Sequence, residues 1–262
     1  MTVIAGNRFT QAFAATTDLG VIAYVTAGFP GRDDTASLLL ACQDAGCLAV
    51  EVGIPFSDPL ADGPVVQRTG WRALGNGMTL AIALRQVEEA RAAGLAIPVA
   101  VMTYINPVLS YGVERFASHA LRVGADAVIV PDLPADEAVD VAAAVTGVGL
   151  AHVPLVAPTT TTARLTRVAA AASGFIYCVG VTGVTGARDT VDLAGLDLLE
   201  RVRGVSPLPR ALGFGISRGE HLAALRGRCE AAVIGSALLS AIEAGEAAPA
   251  HAARVFLEAL GR

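Results

Sequence analysis

The amino-acid sequence predicts an α/β fold, a single-domain (β/α)8 or TIM barrel with extra helices that spans residues 1–262. Short β-branched runs alternate with longer Ala-, Leu- and Arg-rich stretches of helical period, which is the βαβα pattern. The short runs are apolar on both faces, as parallel strands covered by helices must be. No linker rich in Ser, Pro or charge divides the chain, and α/β barrels reach about 250 residues in one domain. An open doubly wound sheet is the alternative fold.

Eight apolar runs are predicted as strands, and eight strands can close a barrel without exposed edges. In chain order they are residues 21–26, 48–53, 99–104, 127–130, 150–154, 174–178, 211–213 and 231–234. The stretches between them are predicted as helices, at residues 33–44, 79–92, 113–122, 135–145, 162–171, 193–203 and 218–225. Two more predicted helices, 237–243 and 250–260, follow the last strand.

The charged residues exclude several classes of function. All 19 basic side chains are Arg, so this chain cannot form a lysine Schiff base, anchor pyridoxal phosphate or build a Walker A loop. The net charge of -5 is not gathered into blocks, which argues against binding to nucleic acid or an anionic membrane. No apolar run has the length of a membrane span or the form of a signal sequence. We therefore expect a cytoplasmic protein.

Cysteine and histidine spacing indicates no metal site. The four cysteines form no CxxC or CxxH pair and are predicted to be buried and reduced: Cys42, Cys47, Cys178 and Cys229. Three histidines fall in separate predicted helices and one falls in a strand: His119, His221, His251 and His152. No cluster has ligand spacing, which argues against a metal-dependent aldolase.

Five segments at the predicted strand ends are distinctive, and the carboxyl ends of the strands are where barrels carry their chemistry. They are EVGIPFSDPLADGP (51–64), TYINP (103–107), GVTG (183–186), GFGIS (213–217) and IGSA (234–237). In this order, from about Tyr24 to Leu239, they resemble the tryptophan synthase α subunit family. The first segment is highly specific, whereas GFGIS and IGSA have counterparts in many phosphate-binding barrels.

The resemblance implies a lyase that cleaves indole-3-glycerol phosphate by a retro-aldol reaction to indole and glyceraldehyde 3-phosphate. Glu51 and Asp62 match the two catalytic carboxylates of the family. The cleavage needs a proton on ring carbon 3, control of the indole N–H and removal of the glyceryl hydroxyl proton. Glu51 can act first as acid and then as base, while the family places Asp62 beside the indole N–H. Without the resemblance, Glu51 is a solvated strand-end charge and Asp62 belongs to an Asp-Gly turn.

The double role of Glu51 favours a raised pKa, which an apolar barrel mouth can supply. The side chains expected to line that mouth are Ile54, Leu60, Tyr104 and Tyr177. The indole-pocket wall of the family matches Tyr24, Tyr104, Tyr177 and Phe214, for which core packing is the alternative role.

Gly-rich turns after the seventh and eighth strands independently predict a phosphate site, because bare N–H groups and a helix N-terminus favour an anion. The residues that match the family's phosphate contacts are Gly186, Phe214, Gly215, Gly235 and Ser236. Ser236 is also expected to cap the helix that opens at Ala237. Tight strand–helix turns are the other common role of such glycines.

Segment 179–189 has the small residues and glycines of a lid that closes over substrate. Thr185 matches the lid threonine that, in the family, bonds the catalytic Asp on closure. Two departures from the family leave room for a divergent paralogue. Gly180 stands where the family more often has Ser, and Arg228, Cys229 and Glu230 stand where it has a glycine turn.

The implied product also predicts a partner. Condensation of indole with serine requires pyridoxal phosphate, which a chain without lysine cannot anchor. The resemblance implies that this chain holds no cofactor and that its partner is a pyridoxal-phosphate β subunit, in an α2β2 assembly. The rim used there matches Pro55, Phe56, Asp58, Asn106 and residues 132–134.

Other functions stay open. A stand-alone indole-producing lyase of a specialised pathway would keep the same catalytic residues, and a phosphosugar isomerase would share only the phosphate loops. A catalytically silent subunit would be expected to lose Glu51 or Asp62, and both are present.

Overall fold

The computed structural model describes residues 6–180, 193–213 and 215–261, which form nine strands and twelve helices. The strands are β1 (Gly20–Thr26), β2 (Ala49–Gly53), β3 (Val99–Met102), β4 (Ala127–Ile129), β5 (Ala151–His152), β6 (Leu155–Val156), β7 (Ile176–Val179), β8 (Arg210–Gly213) and β9 (Ala231–Ile234). The helices are α1 (Arg8–Ala15), α2 (Thr35–Asp44), α3 (Pro64–Gly75), α4 (Leu80–Ala92), α5 (Ile105–Tyr111), α6 (Val113–Arg122), α7 (Val139–Gly147), α8 (Thr162–Ala171), α9 (Leu193–Arg203), α10 (Gly219–Leu225), α11 (Ser236–Ala244) and α12 (Pro249–Glu258).

The nine strands form one parallel sheet in the order β5-β4-β3-β2-β1-β9-β8-β7-β6. β5 pairs with β4, and β6 pairs with β7. Between them, the Val153 N–H donates to the Val128 carbonyl and the Pro154 carbonyl accepts from the Tyr177 N–H, at 3.0 and 3.1 Å. The two ends of the sheet therefore meet in residues 151–156, and the predicted barrel is confirmed.

The fifth barrel strand differs from its prediction, which placed it at 150–154. The extended segment reaches Val156, but Pro154 has no N–H to donate and the hydrogen-bonding partner changes there from β4 to β7. The other strands lie within two residues of their predicted bounds.

Three helices have no predicted counterpart, namely α1, α3 and α5. Two of them carry a proline in the first turn, where its missing N–H costs nothing: Pro64 begins α3 and Pro107 is the third residue of α5. The start of α7 also differs, because residues 134–138 form turns and the helix begins at Val139 instead of 135.

The barrel interior is closed at the amino ends of the strands. Six alanines stand at the first or second position of their strands: Ala49, Ala100, Ala127, Ala151, Ala211 and Ala231. They leave room for three packed rings, since Phe9 and Phe13 of α1 lie 5.2 and 5.7 Å from Phe175, centroid to centroid. We call these three rings the phenylalanine plug.

The buried Asp126 carboxylate ties α1 to this end of the barrel. It accepts from Arg8 and Arg91 at 2.8 Å each and from the Val99 N–H at 2.9 Å. The Asn7 side chain caps α1 and donates to the Asp126 carbonyl at 2.8 Å. These charge-assisted bonds fix the helix that supplies two plug rings.

The four cysteines are buried thiols, as predicted. Within the described ranges, no group of three or more His, Cys, Asp and Glu side chains has the arrangement of a metal site. None of the helices found in those ranges is long and apolar enough to cross a membrane.

Candidate active site

Glu51 lies at the centre of β2, inside the barrel. In the parallel register it stands beside Tyr24 of β1 and Ala100 of β3. The residue is 1% exposed, and neither carboxyl oxygen has a hydrogen-bond partner among the described residues. A buried carboxylate without partners is costly, so this environment favours the protonated acid.

Asp62 comes from the loop between β2 and α3, which hydrogen bonds hold in place. Its N–H donates to the Pro59 carbonyl at 3.1 Å, and its carbonyl accepts from the Gln67 side chain at 2.8 Å. The Ala61 N–H donates to the Tyr104 hydroxyl at 3.0 Å. These contacts fix the loop and therefore the position of the Asp62 carboxyl.

Burial and mutual repulsion give the two carboxyls different pKa values. Burial raises the pKa of Glu51 to about 8, and the negative charge of Asp62 adds to this rise. Burial also raises the pKa of Asp62 to about 6, while a hydrogen bond from the Tyr104 side chain holds it down. Near neutral pH, Glu51 is therefore the acid and Asp62 the ionised acceptor.

Two glycines at strand ends make room for two tyrosine hydroxyls. A Cβ on Gly53, the last residue of β2, would overlap the hydroxyl and ring of Tyr24. A Cβ on Gly213, the last residue of β8, would overlap the hydroxyl of Tyr177 in the same way. Only glycine fits at either position, and both phenols are thereby buried close to Glu51.

The carboxyls line one end of a cavity of about 180 Å³ at the carboxyl ends of the strands. Its lining consists of Tyr24, Glu51, Asp62, Gly63, Val65, Val66, Met102, Tyr177, residues 215–217, Val233, residues 235–237 and Ser240. The middle is apolar, and the far end is the backbone after β8 and β9. This shape suits an elongated ligand with an apolar body, an anionic tail and a proton-transfer centre.

The backbone end of the cavity includes the start of α11. Gly235 is its N-cap and Ser236 its first residue. The expectation that Ser236 caps the helix is wrong, because the helix begins one residue earlier and no described side chain caps it. The N–H groups of the first turn stay available to an anion. Across the cavity, Gly215 has φ +83°, a conformation that favours glycine.

The cavity brings together seven of the predicted site residues: Tyr24, Glu51, Asp62, Tyr177, Gly215, Gly235 and Ser236. Tyr104 does not line it but contacts the Asp62 loop and packs against Phe56 in a tilted arrangement, with ring centroids 5.4 Å apart. Thr185, Gly186 and Phe214 lie outside the described residues.

Two residues expected at the apolar mouth lie elsewhere. Leu60 is 91% exposed. Its N–H donates to the Asp58 carbonyl, and this turn directs the side chain to solvent. Ile54 packs in the layer between strands and helices, since side chains alternate between faces and Glu51 and Gly53 occupy the inner one.

Several residues that line the cavity are site residues that the sequence analysis did not predict. Val65 and Val66 come from the first turn of α3, and Met102 and Val233 from β3 and β9. The sequence does carry a signal for the glycine contacts, since a glycine inside an apolar strand run often marks a close approach. Gly53 is such a position.

Comparisons with known proteins agree with this geometry. The sequence model of the family described as tryptophan synthase alpha chain matches residues 10–260. A tryptophan synthase alpha chain from Carboxydothermus hydrogenoformans is 43% identical over 240 residues, which is 90% of each chain. One from Shouchella clausii is 46% identical over 221 residues, covering 84% of this chain and 82% of the relative.

Solved structures give the same result. Tryptophan synthase from Mycobacterium tuberculosis superposes with a TM-score of 0.88 at 33% identity, covering 97% of this chain and 98% of that one. The α2β2 complex from Pyrococcus furiosus contains a chain with a TM-score of 0.87 at 36% identity, covering 92% and 97%.

Proposed function

Because this chain belongs to the tryptophan synthase alpha chain family, a lyase family that cleaves indole-3-glycerol phosphate, we propose that Glu51 and Asp62 carry the proton transfers of that cleavage. The observation that supports this assignment most directly is the pair of carboxyls in one cavity, Glu51 buried and Asp62 half-buried, with pKa values of about 8 and about 6. The phosphosugar isomerase alternative is not favoured by the comparisons.

The proposed reaction begins with Glu51 as a general acid. Its proton moves to carbon 3 of the indole ring, and the positive charge that develops on the ring nitrogen is stabilised by the Asp62 carboxylate, which accepts from the N–H. The Glu51 carboxylate then removes the proton of the glyceryl hydroxyl. The carbon–carbon bond breaks, its electron pair returns to the indole ring, and the glyceryl fragment leaves as an aldehyde. Glu51 ends protonated, so the cycle consumes no proton.

The opposite end of the cavity is proposed to hold the phosphate. Residues 215–217 and 235–237 offer backbone N–H groups and the start of α11, which favour an anion without a lysine. This end fixes the substrate so that its indole ring reaches the carboxyls.

Substitution of Glu51 by Gln tests the assignment. The amide keeps the shape of the side chain but cannot exchange protons, so turnover should fall by on the order of 10² to 10⁴ while substrate binding persists. Because the amide removes a buried ionisable group, the variant should remain folded by circular dichroism. Asp62→Asn should also reduce turnover and weaken binding of indole-bearing analogues. A Glu51→Gln protein with more than a tenth of the wild-type turnover would contradict the assignment.

We further propose a pyridoxal-phosphate β chain as the partner. Related structures are tryptophan synthase complexes, including an α2β2 assembly. Besides the half-buried Phe56 of the predicted rim, the segments that carry this rim expose two leucines that were not predicted there, Leu60 (91% exposed) and Leu109 (57% exposed). Apolar side chains exposed around a cavity mouth are typical of a protein interface.

Mixing this chain with a β chain from the same organism tests the partnership. We expect the two to co-elute from a sizing column as α2β2 and indole release to increase. Leu60→Ser combined with Leu109→Ser should weaken the complex, whereas Val255→Ser, an exposed site on α12, should leave it intact. Absence of a complex together with an unchanged rate would favour the stand-alone lyase.

A further inference from the structure

His221 of α10 contacts the backbone end of the cavity. The Ser217 N–H donates to its Nδ1 at 3.2 Å. Ser217 lines the cavity, whereas His221 does not and is only 2% exposed. The Ser217 N–H is therefore directed into the protein. Gly215 and Ile216, which also line the cavity, are left to supply the backbone N–H groups of this segment to an anion.

This hydrogen bond fixes the tautomer of the imidazole ring. A ring nitrogen that accepts from an N–H carries no proton, so the neutral ring of His221 holds its proton on Nε2. Nε2 is buried and has no hydrogen-bond partner among the described residues. A buried donor without a partner lowers stability, so the ring is poorly suited to a purely stabilising role. Its polar contact is with the segment that lines the cavity.

Helix α10 holds His221 in place. Gly219, its first residue, approaches the Leu260 carbonyl so closely that a Cβ on it would lie 2.6 Å from that oxygen. Leu222 and Leu225, on either side of the next turn, are buried in the core. The imidazole is therefore carried by a packed helix, and its Nδ1 is a fixed acceptor for the loop that precedes this helix.

Residues 215–217 have few other contacts that hold them. Among the described residues, the bond to His221 is the only hydrogen bond that a backbone N–H of this segment donates. The Ile216 side chain is buried in the core. Gly215 has φ +83°, and a glycine has many other conformations available to it. A hydrogen bond two residues later reduces that freedom.

We propose that His221 is a positioning residue for the anion end of the cavity. By accepting from Ser217, it holds residues 215–217 in the conformation that offers the N–H groups of Gly215 and Ile216 to a phosphate. The role of His221 rests on the phosphate site proposed above. Without the acceptor, the segment has more conformations in the free protein, and binding of a phosphate must order it. A ligand that binds only at the carboxyl end of the cavity does not meet this cost.

Two variants of similar shape separate the acceptor from the ring. In His221→Asn the side-chain oxygen can replace Nδ1, because both atoms are bonded to Cγ. His221→Leu has the branched shape of Asn, with a methyl group in place of the acceptor. His251→Leu, which removes an exposed histidine of α12, is the control for the loss of a histidine. Circular dichroism checks that each variant is folded.

The probes are the two halves of the proposed substrate, glycerol 3-phosphate and indole, and their dissociation constants are measured by NMR titration. We expect His221→Leu to weaken binding of glycerol 3-phosphate about ten-fold, the worth of one hydrogen bond to a charged group, and to leave binding of indole unchanged. His221→Asn and His251→Leu should bind both probes within about three-fold of the wild type. If the lyase assignment also holds, His221→Leu should raise KM more than it lowers kcat.

Two measurements test the hydrogen bond without any ligand. In 15N NMR of wild-type protein labelled at its histidines, assigned by comparison with His221→Asn, the ring of His221 should carry its proton on Nε2. Amide hydrogen exchange at Ser217 should be slow in the wild type and in His221→Asn and faster in His221→Leu. A proton on Nδ1 of His221 would overturn the proposal.

The outcomes separate the role of His221 from the proposed function. Equal binding of glycerol 3-phosphate by the wild type and His221→Leu, or equal weakening of both probes, would overturn the role of His221. An Asn variant as weak as the Leu variant would overturn it too. If the wild type binds indole but not glycerol 3-phosphate, the phosphate site is refuted and the role of His221 with it. Selective weakening in a protein that does not cleave indole-3-glycerol phosphate would support His221 and refute the lyase assignment.

Discussion

The pH dependence of cleavage follows from the two carboxyl pKa values. In the proposed mechanism, the competent form of the free protein has Glu51 protonated and Asp62 ionised. As pH falls through about 6, Asp62 gains a proton and no longer accepts from the indole N–H. As pH rises through about 8, Glu51 loses the proton that it must donate. We therefore expect a bell-shaped profile of kcat/KM with its maximum near pH 7.

The two pKa values also set the depth of the profile. With values of about 6 and about 8, roughly 80% of the protein is competent at pH 7 and roughly 9% at pH 5 or pH 9. The value of kcat/KM should therefore fall about nine-fold at each extreme. Since the carboxyls interact, the two observed values belong to the pair.

The assay is continuous detection of indole release at low substrate concentration between pH 5 and pH 10. The substrate phosphate titrates near pH 6 as well, so Asp62→Asn is the control. In that variant, the acid limb should shrink to the contribution of the phosphate. The basic limb should move to lower pH, because the charge that raises the pKa of Glu51 is gone. A rate that is constant from pH 7 to pH 10 would refute the reasoning.

Two further predictions concern packing. Gly53→Ala should displace the Tyr24 ring, lower the free energy of unfolding in urea by about 1–3 kcal/mol and reduce turnover. Gly75→Ala, at a helical site with open space around it, should leave the free energy of unfolding unchanged. Equal effects of the two substitutions would contradict the close approach at Gly53. Phe9→Ala should lower the free energy of unfolding by about 3–5 kcal/mol, because a fully buried ring is lost, while the folded fraction keeps its turnover. A loss of stability below about 1 kcal/mol would contradict the packing of the phenylalanine plug.

Strand positions could be predicted from sequence because buried parallel strands are short apolar runs. The break between β5 and β6 could not, since it depends on which neighbour each half pairs with. The α1 helix was missed for a related reason: only Phe9 and Phe13 of it are buried. Their partner, Phe175, is more than 160 residues away.

The carboxyls Glu51 and Asp62 could be predicted because they belong to a specific segment. Tyr24 was predicted as a wall residue, but the place of its hydroxyl depends on the missing Cβ of Gly53 on the neighbouring strand. The prediction that Leu60 lines the cavity mouth was wrong. Its apolar side chain suggests an interior position, but the turn closed by the hydrogen bond from the Leu60 N–H to the Asp58 carbonyl directs that side chain to solvent.

The phenylalanine plug closes the barrel at one end, so the cavity opens only at the other. A molecule cannot pass out between the amino ends of the strands, where Phe9, Phe13 and Phe175 fill the space left by the alanines. Substrate and both products must therefore use the same opening, at the carboxyl ends of the strands. Whatever covers that opening controls the order of arrival and departure. A subunit docked there would receive indole directly, and one docked anywhere else on the surface would have to compete for it with the solvent.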